Sequence, residues 1–151
     1  MDIMDLTRYR LFNAKGIGTT SHEYLYVLLC VDAFSRKAYA EKIEGKTTED
    51  CILQAFDSIL QDLNPKPRSR MTDNEPAFDN QMLITLLDKH EIALTMNALN
   101  DHNALGIVDS FIGKFKHTLA AMFLRSQYLT WIDKYKNIVS VIKYLIQLLM
   151  T

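Results

Sequence analysis

The sequence predicts an α/β fold in which one mixed sheet of five strands is covered by helices. Three observations carry that expectation. The first 43 residues hold three strand-like runs separated by turn chemistry. From Thr47 onward, apolar residues recur at helical spacing in stretches that alternate with short strand-like runs. The resulting order, β-β-β-α-β-α-β-α-α, is that of a layered domain with an antiparallel start and helical crossovers. A chain of 151 residues suits a single domain over 1–151 that buries a core without disulfide or metal staples.

Each element has its own signature. Residues 1–8, MDIMDLTR, read as a short strand, and Asn13 to Ser21 as a turn with two glycines. Tyr24 to Asp32 is a continuous apolar run, as a strand buried on both faces requires. After a turn at Ser35-Arg36, Lys37 to Ile43 is a more polar third strand nearer an edge. Thr47 is a good N-cap for the first helix, with Glu49 and Asp50 placed to meet the helix dipole. Its stripe is Ile52, Leu53, Phe56, Ile59, Leu60 and Leu63, and Asn64-Pro65-Lys66-Pro67 ends it. Arg68 to Asp73 is a fourth strand, Asn80 to His90 a second helix and Ile92 to Met96 a fifth strand. After a polar stretch, Asn97 to Leu105, a long helix runs from Gly106 to about Arg125, and a last one spans Thr130 to Met150. The seam Trp131, Tyr135, Ile138, Ile142, Leu145 and Leu149 suits packing on another helix.

Composition excludes several classes. The 5 glycines, 3 prolines and 48% hydrophobic content argue against disorder. Cys30 and Cys51 cannot build a disulfide framework and read as buried thiols. The apolar tail from Ile138 to Met150 is broken by Lys143 and is shorter than the roughly 20 residues of a membrane span. No signal peptide is read at the start, because Asp2, Asp5 and Arg8 interrupt it. An intracellular or intraparticle setting without membrane contact follows. The net charge of −1 gives no prompt toward nucleic acid. Basic residues are instead local: Lys66, Arg68 and Arg70 before one carboxylate, Lys114 and Lys116 after another.

Three aspartates stand at strand ends and a helix start, where α/β folds assemble sites. Asp5 lies in the first strand, Asp73 at the end of the fourth, and Asp109 in the first turn of the long helix. Converging carboxylates repel unless a cation compensates, and hard oxygen ligands suit Mg²⁺ or Mn²⁺. Two such ions promote in-line phosphoryl displacement.

The segments around these aspartates resemble a known family. Thr72-Asp73-Asn74-Glu75-Pro76-Ala77-Phe78 is similar to the T-D-N-G-x-E-F segment of retroviral-type integrases and related transposases. Gly106-Ile107-Val108-Asp109 resembles their G-x-V-E segment, and 35 residues intervene, as in the D,D-35-E signature. Met4-Asp5-Leu6-Thr7 resembles the strand of the first Asp, and Val31-Asp32-Ala33-Phe34-Ser35-Arg36 the V-D-x-F-S-R segment. The long hairpin and His102-Asn103-Ala104-Leu105-Gly106 are most like integrases of Maverick/Polinton elements and virophages.

The resemblance implies an RNase H-like fold, with Asp5, Asp73 and Asp109 as catalytic residues holding two Mg²⁺ or Mn²⁺ ions. It implies 3′-end processing and strand transfer of element or viral DNA ends into target DNA. It places Lys116 on the DNA end, with Lys114, Asn100 and His102 as further DNA contacts. Gly113 lies between Asp109 and Lys116, where a missing side chain lets a DNA backbone approach. It further implies a homodimer or higher homo-oligomer, a host nucleus or viral particle as setting, and a core cut from a longer protein. Departures are Asp109 for Glu, Glu75 for Gly, Ala77 for Glu, and Ser110 and Ile112 for the usual Arg and Asn. Two alternatives remain open: an RNase H-like metal-dependent nuclease, and a non-catalytic module that dimerises or binds DNA.

Overall fold

The computed structural model describes residues 1–7, 24–44, 49–72, 78–96, 106–125 and 136–140. Eight elements are defined: β1 (Asp2–Asp5), β2 (Tyr24–Val31), β3 (Ala38–Glu44), α1 (Glu49–Asp62), β4 (Ser69–Thr72), α2 (Gln81–Lys89), β5 (Ala93–Met96) and α3 (Gly106–Arg125). Their order agrees with the expected one. Among the described residues the strands form two sheets rather than one. Strands β1-β2-β3 are antiparallel neighbours, and β4-β5 form a separate parallel pair. Met1 connects the sheets: its ammonium donates to the Met71 carbonyl at 2.8 Å, and its Sδ accepts from Arg70 Nη1 at 3.9 Å. The start of β1 therefore lies beside the end of β4.

Strand β2 is buried on both faces, as its uninterrupted apolar sequence requires. Val27 and Leu29 enter one core with Met4, Leu6, Val108, Phe111, Phe115 and Leu119. Leu28 enters the other with Ile43, Ile52, Phe56, Ile59, Leu60, Leu83 and Leu87. Period-two alternation thus sends one set of side chains to α3 and the other to α1 and α2. Residues 136–140 are helical, with Ile138 and Val139 buried in the α3 core. Lys136 there pairs with Glu41 of β3 at 3.0 Å. The remainder of the apolar seam lies outside the described residues, as does the Thr47 cap. The second helix has a cap of its own: the Asn80 side chain accepts from the Leu83 amide at 2.7 Å.

Arg70, one of the three basic residues grouped before Asp73 in the sequence, is buried. It is 6% exposed, and its guanidinium lies 5.6 Å from the Phe56 ring and 5.7 Å from that of Phe78. Its Nε and Nη2 have no hydrogen-bond partner. Burial pulls its pKa down to about 10, so the stacked rings compensate only part of the lost hydration. The two cysteines are free, as expected, and half-buried rather than fully enclosed. Burial among apolar groups pushes the Cys30 thiol up to about 11. Among the described residues no helix is long and apolar enough to cross a membrane.

Candidate functional site

Helix α3 brings its buried stripe, Val108, Phe111, Phe115 and Leu119, onto the sheet. At about 100° per residue, Asp109 and Lys116 then fall together on one flank, roughly 100° from that stripe. Ile107 and Lys114 fall on the opposite flank. The structure confirms the division. Lys114 lines a cavity of about 300 Å³ with Val31, Arg36, Gly106, Ile107, Ser110 and Phe111, on the β2–β3 side. Lys116, half-buried, is near enough to Asp5 of β1 for its charge to favour the ionised carboxylate, the smallest of the influences on that group. The two lysines are therefore not one cluster. Asp109 is exposed in the first turn, where the dipole favours a carboxylate. Gly113 shares its flank, and a Cβ built there meets nothing within 4 Å.

Strand β1 offers two carboxylates. Asp5 is exposed, and its Oδ1 accepts from both the amide (2.8 Å) and the hydroxyl of Thr7. The Thr7 hydroxyl bond is the main reason its carboxyl lies below the usual range; the Thr7 amide and Lys116 act the same way, and partial burial opposes them. Asp2 was not singled out from the sequence. It shares strand parity with Met4, whose side chain is in the α3 core, whereas Asp5 shares parity with Ile3, which packs toward α1 and α2. A strand reading that stops at period two does not say which set faces which helix, so the sequence left this signal unread.

Thr72 ends β4 and is fully buried. The next residue in the chain, Asp73, lies outside the described residues, as do Asn100 and His102. Among the described residues no three His, Cys, Asp or Glu side chains gather at one point. The V-D-x-F-S-R segment proves to be turn architecture. The Asp32 carboxylate accepts from the Phe34 and Ser35 amides, each at 3.2 Å, and from the Ser35 hydroxyl. That hydroxyl is the chief cause of its lowered pKa. Arg36 takes φ 58°, a left-handed conformation, and its amide donates to the Asp32 carbonyl at 2.8 Å. The turn leaves Phe34 95% exposed at its tip.

Comparison with known proteins agrees with this arrangement. The family model described as integrase core domain matches residues 1–102. No curated protein matches the chain. Among solved structures, a chain of the simian T-cell lymphotropic virus intasome, in complex with PP2A regulatory subunit B56 gamma, superposes with a TM-score of 0.69 at 20% identity. The match covers 78% of this chain and 42% of that one, so the present chain spans less than half of its length. The HTLV-2 integrase catalytic core domain in complex with magnesium gives a TM-score of 0.62 in two forms. The trimeric form is 24% identical, over 78% of this chain and 72% of that one; the dimeric form is 22% identical, over 81% and 76%. These likenesses establish the RNase H-like fold of integrase cores.

Proposed function

The chain belongs to the integrase core domain family, and we propose that it is the catalytic core of an enzyme that joins mobile-element or viral DNA ends to target DNA. The observation that carries this reading is the flank of α3: an exposed Asp109 in the first turn, with Lys116 two turns on along the same edge of the helix. The proposed site joins Asp109 to Asp73, which directly follows β4, and to a β1 carboxylate, for which the D-L-T segment nominates Asp5. The Met1–Met71 bond supports a continuous five-stranded sheet in which β4 lies next to β1.

A set of carboxylate oxygens fits hard divalent cations, and the HTLV-2 core was solved with magnesium. Two bound Mg²⁺ or Mn²⁺ ions supply charge neutralisation and activation of the attacking oxygen. The chain's own residues do the rest. The carboxylates set where the scissile phosphodiester sits, and the rigid helix holds Asp109 at a fixed height over the sheet. Lys116 meets a phosphate beside the reacting bond. Lys114 with Arg36 meets DNA on the opposite flank, and Asn100 and His102 contact it from the segment before α3. Cleavage by water frees a 3′-hydroxyl, and that hydroxyl then displaces a target phosphodiester in line.

Homo-oligomerisation belongs to the same proposal, supported by the dimeric and trimeric forms of the HTLV-2 core and by Leu124, 90% exposed at the end of α3. The segment His102 to Gly106 supports a Maverick/Polinton or virophage element as the source, and with it a nucleus or viral particle as the setting. The test is Mn²⁺-dependent joining of paired DNA ends by the full-length protein. Joining is expected in the wild type and its loss in Asp73→Asn and Asp109→Asn. Cleavage without joining would transfer the chain to the hydrolytic nucleases, and DNA binding without either reaction to the non-catalytic modules.

A further inference from the structure

Beyond the joining site, we infer that a second cavity of the domain binds a small phosphomonoester with an aromatic or apolar body, gripped by Arg70. The cavity has a volume of about 690 Å³, within the range of small-molecule sites. It lies between the β2–β3 turn, the connection from α1 to β4, and the start of α3. None of Asp5, Asp109 and Lys116 lines it.

An unused donor pair is the first argument. Arg70 lines the cavity and is nine-tenths buried. Its Nη1 has a weak acceptor in the Met1 sulfur at 3.9 Å, but Nε and Nη2 have none. These two nitrogens form one edge of the guanidinium, and their N–H bonds run parallel, a fork for two oxygens of one phosphate or carboxylate. The Phe56 and Phe78 rings attract the charge but offer no acceptor in the plane of the fork. A buried donor without a partner costs stability, and among the described residues nothing uses this one. Both nitrogens are closed to water, so binding includes a turn of the Arg70 side chain toward the cavity that it lines.

The charge of the walls is the second argument. Lys37, Lys66 and Arg68 also line the cavity, and each is exposed. Lys66 is held there by its bond to the Leu60 carbonyl at 2.9 Å. Asp32 is the one acidic residue among the described lining residues, and its carboxylate is already engaged by Phe34 and Ser35. Four cations against one carboxylate leave a surplus that a dianion meets better than a monoanion. A terminal phosphate also presents three acceptor oxygens, so that two can take the fork while the third faces the outer cations. A phosphodiester carries a substituent on either side and fits the depth of Arg70 less well. Tyr39, Phe56, Leu63 and Pro67 add apolar surface to the walls, which suits a ring attached to the phosphate.

The experiment is calorimetric titration of phenyl phosphate into the full-length protein, with phenol and benzoate as the uncharged and carboxylate controls. Phenyl phosphate is expected to bind and to raise the unfolding temperature. Phenol is expected not to bind, and benzoate to bind at least about tenfold more weakly than phenyl phosphate. Arg70→Met is expected to stay folded, as judged by its unfolding temperature, and to lose at least about tenfold in affinity for phenyl phosphate. Arg70→Lys, which keeps the charge without the fork, is expected to lose affinity as well. In the wild type the Arg70 Nε–H resonance is expected to shift on addition of phenyl phosphate, a readout that needs no variant to fold. A wild-type protein that ignores phenyl phosphate, or an Arg70→Met protein that folds and binds it unchanged, would overturn the site. Benzoate binding as tight as that of phenyl phosphate would overturn the choice of phosphate, and displacement of phenyl phosphate by a short DNA duplex would overturn the choice of a small molecule. None of these readouts involves DNA joining, so the cavity and the joining function stand or fall separately.

Discussion

The two faces of the β1-β2-β3 sheet carry apolar cores of similar make-up but differ at their margins. Toward α1 and α2 the core closes on aromatic and aliphatic side chains, and the one buried charge among the described residues, Arg70, is stacked between two phenylalanines. Toward α3 the core is equally apolar, but the flank of the helix carries Asp109 and Gly113 into solvent, with Lys116 half-buried beside them. The difference separates stability from chemistry. Changes on the α1 side should act on folding, and changes on the α3 flank on reaction with little effect on folding.

The largest expected effect tests the reactive flank. Asp109→Asn should lower joining by about a hundredfold to a thousandfold or more without moving the unfolding midpoint, because the side chain is exposed. A matching loss of stability would mean that the flank is structural. On the other face, Leu60→Ala should destabilise by about 2–5 kcal/mol in urea unfolding, since Leu60 is fully buried. Arg70→Met should go the opposite way, with a gain of about 1–4 kcal/mol, because a buried, incompletely bonded guanidinium is exchanged for an apolar chain of similar length. A destabilised Arg70→Met protein would show that the stacking outweighs the desolvation.

Smaller effects refine the α3 side. Removing the Thr7 hydroxyl in Thr7→Ala takes away the main cause of the low Asp5 pKa, and an NMR titration should show that pKa rise. The sign for stability follows. A carboxyl whose folded pKa is depressed stabilises above its unfolded value of 3.8, and that contribution fades as pH falls through the folded value. Thr7→Ala should therefore lose stability near neutral pH, and the difference from wild type should shrink on acidification. Gly113→Ala should raise stability by about 1 kcal/mol, because a Cβ there meets nothing. If DNA approaches that flank closely, the same change should lower joining.

Much of the fold was legible because its signals are local. The period of Val108, Phe111, Phe115 and Leu119 and the glycine before them delimit α3 at Gly106–Arg125, as expected from sequence. The apolar stripe and the proline-rich stop mark α1, and the unbroken run from Tyr24 marks β2. What was not legible depends on relations between elements. Register and face put Asp2 and Asp5 on opposite sides of the sheet, and a four-residue strand with an aspartate at each end satisfies period two either way. The burial of Arg70 was not legible because its phenylalanine neighbours lie 14 residues upstream and 8 downstream. The V-D-x-F-S-R segment was legible as a family feature, whereas its work as a carboxylate-capped turn required the hydrogen bonds.

The most direct test of the central claim, that the α3 flank and β1 hold the reactive cations, is anomalous diffraction from crystals soaked in Mn²⁺. The account predicts a Mn²⁺ peak at the Asp109 carboxylate, shared with Asp5 and absent from crystals of Asp109→Asn. A peak that survives Asp109→Asn, or a wild-type crystal with no peak at either carboxylate, would contradict it.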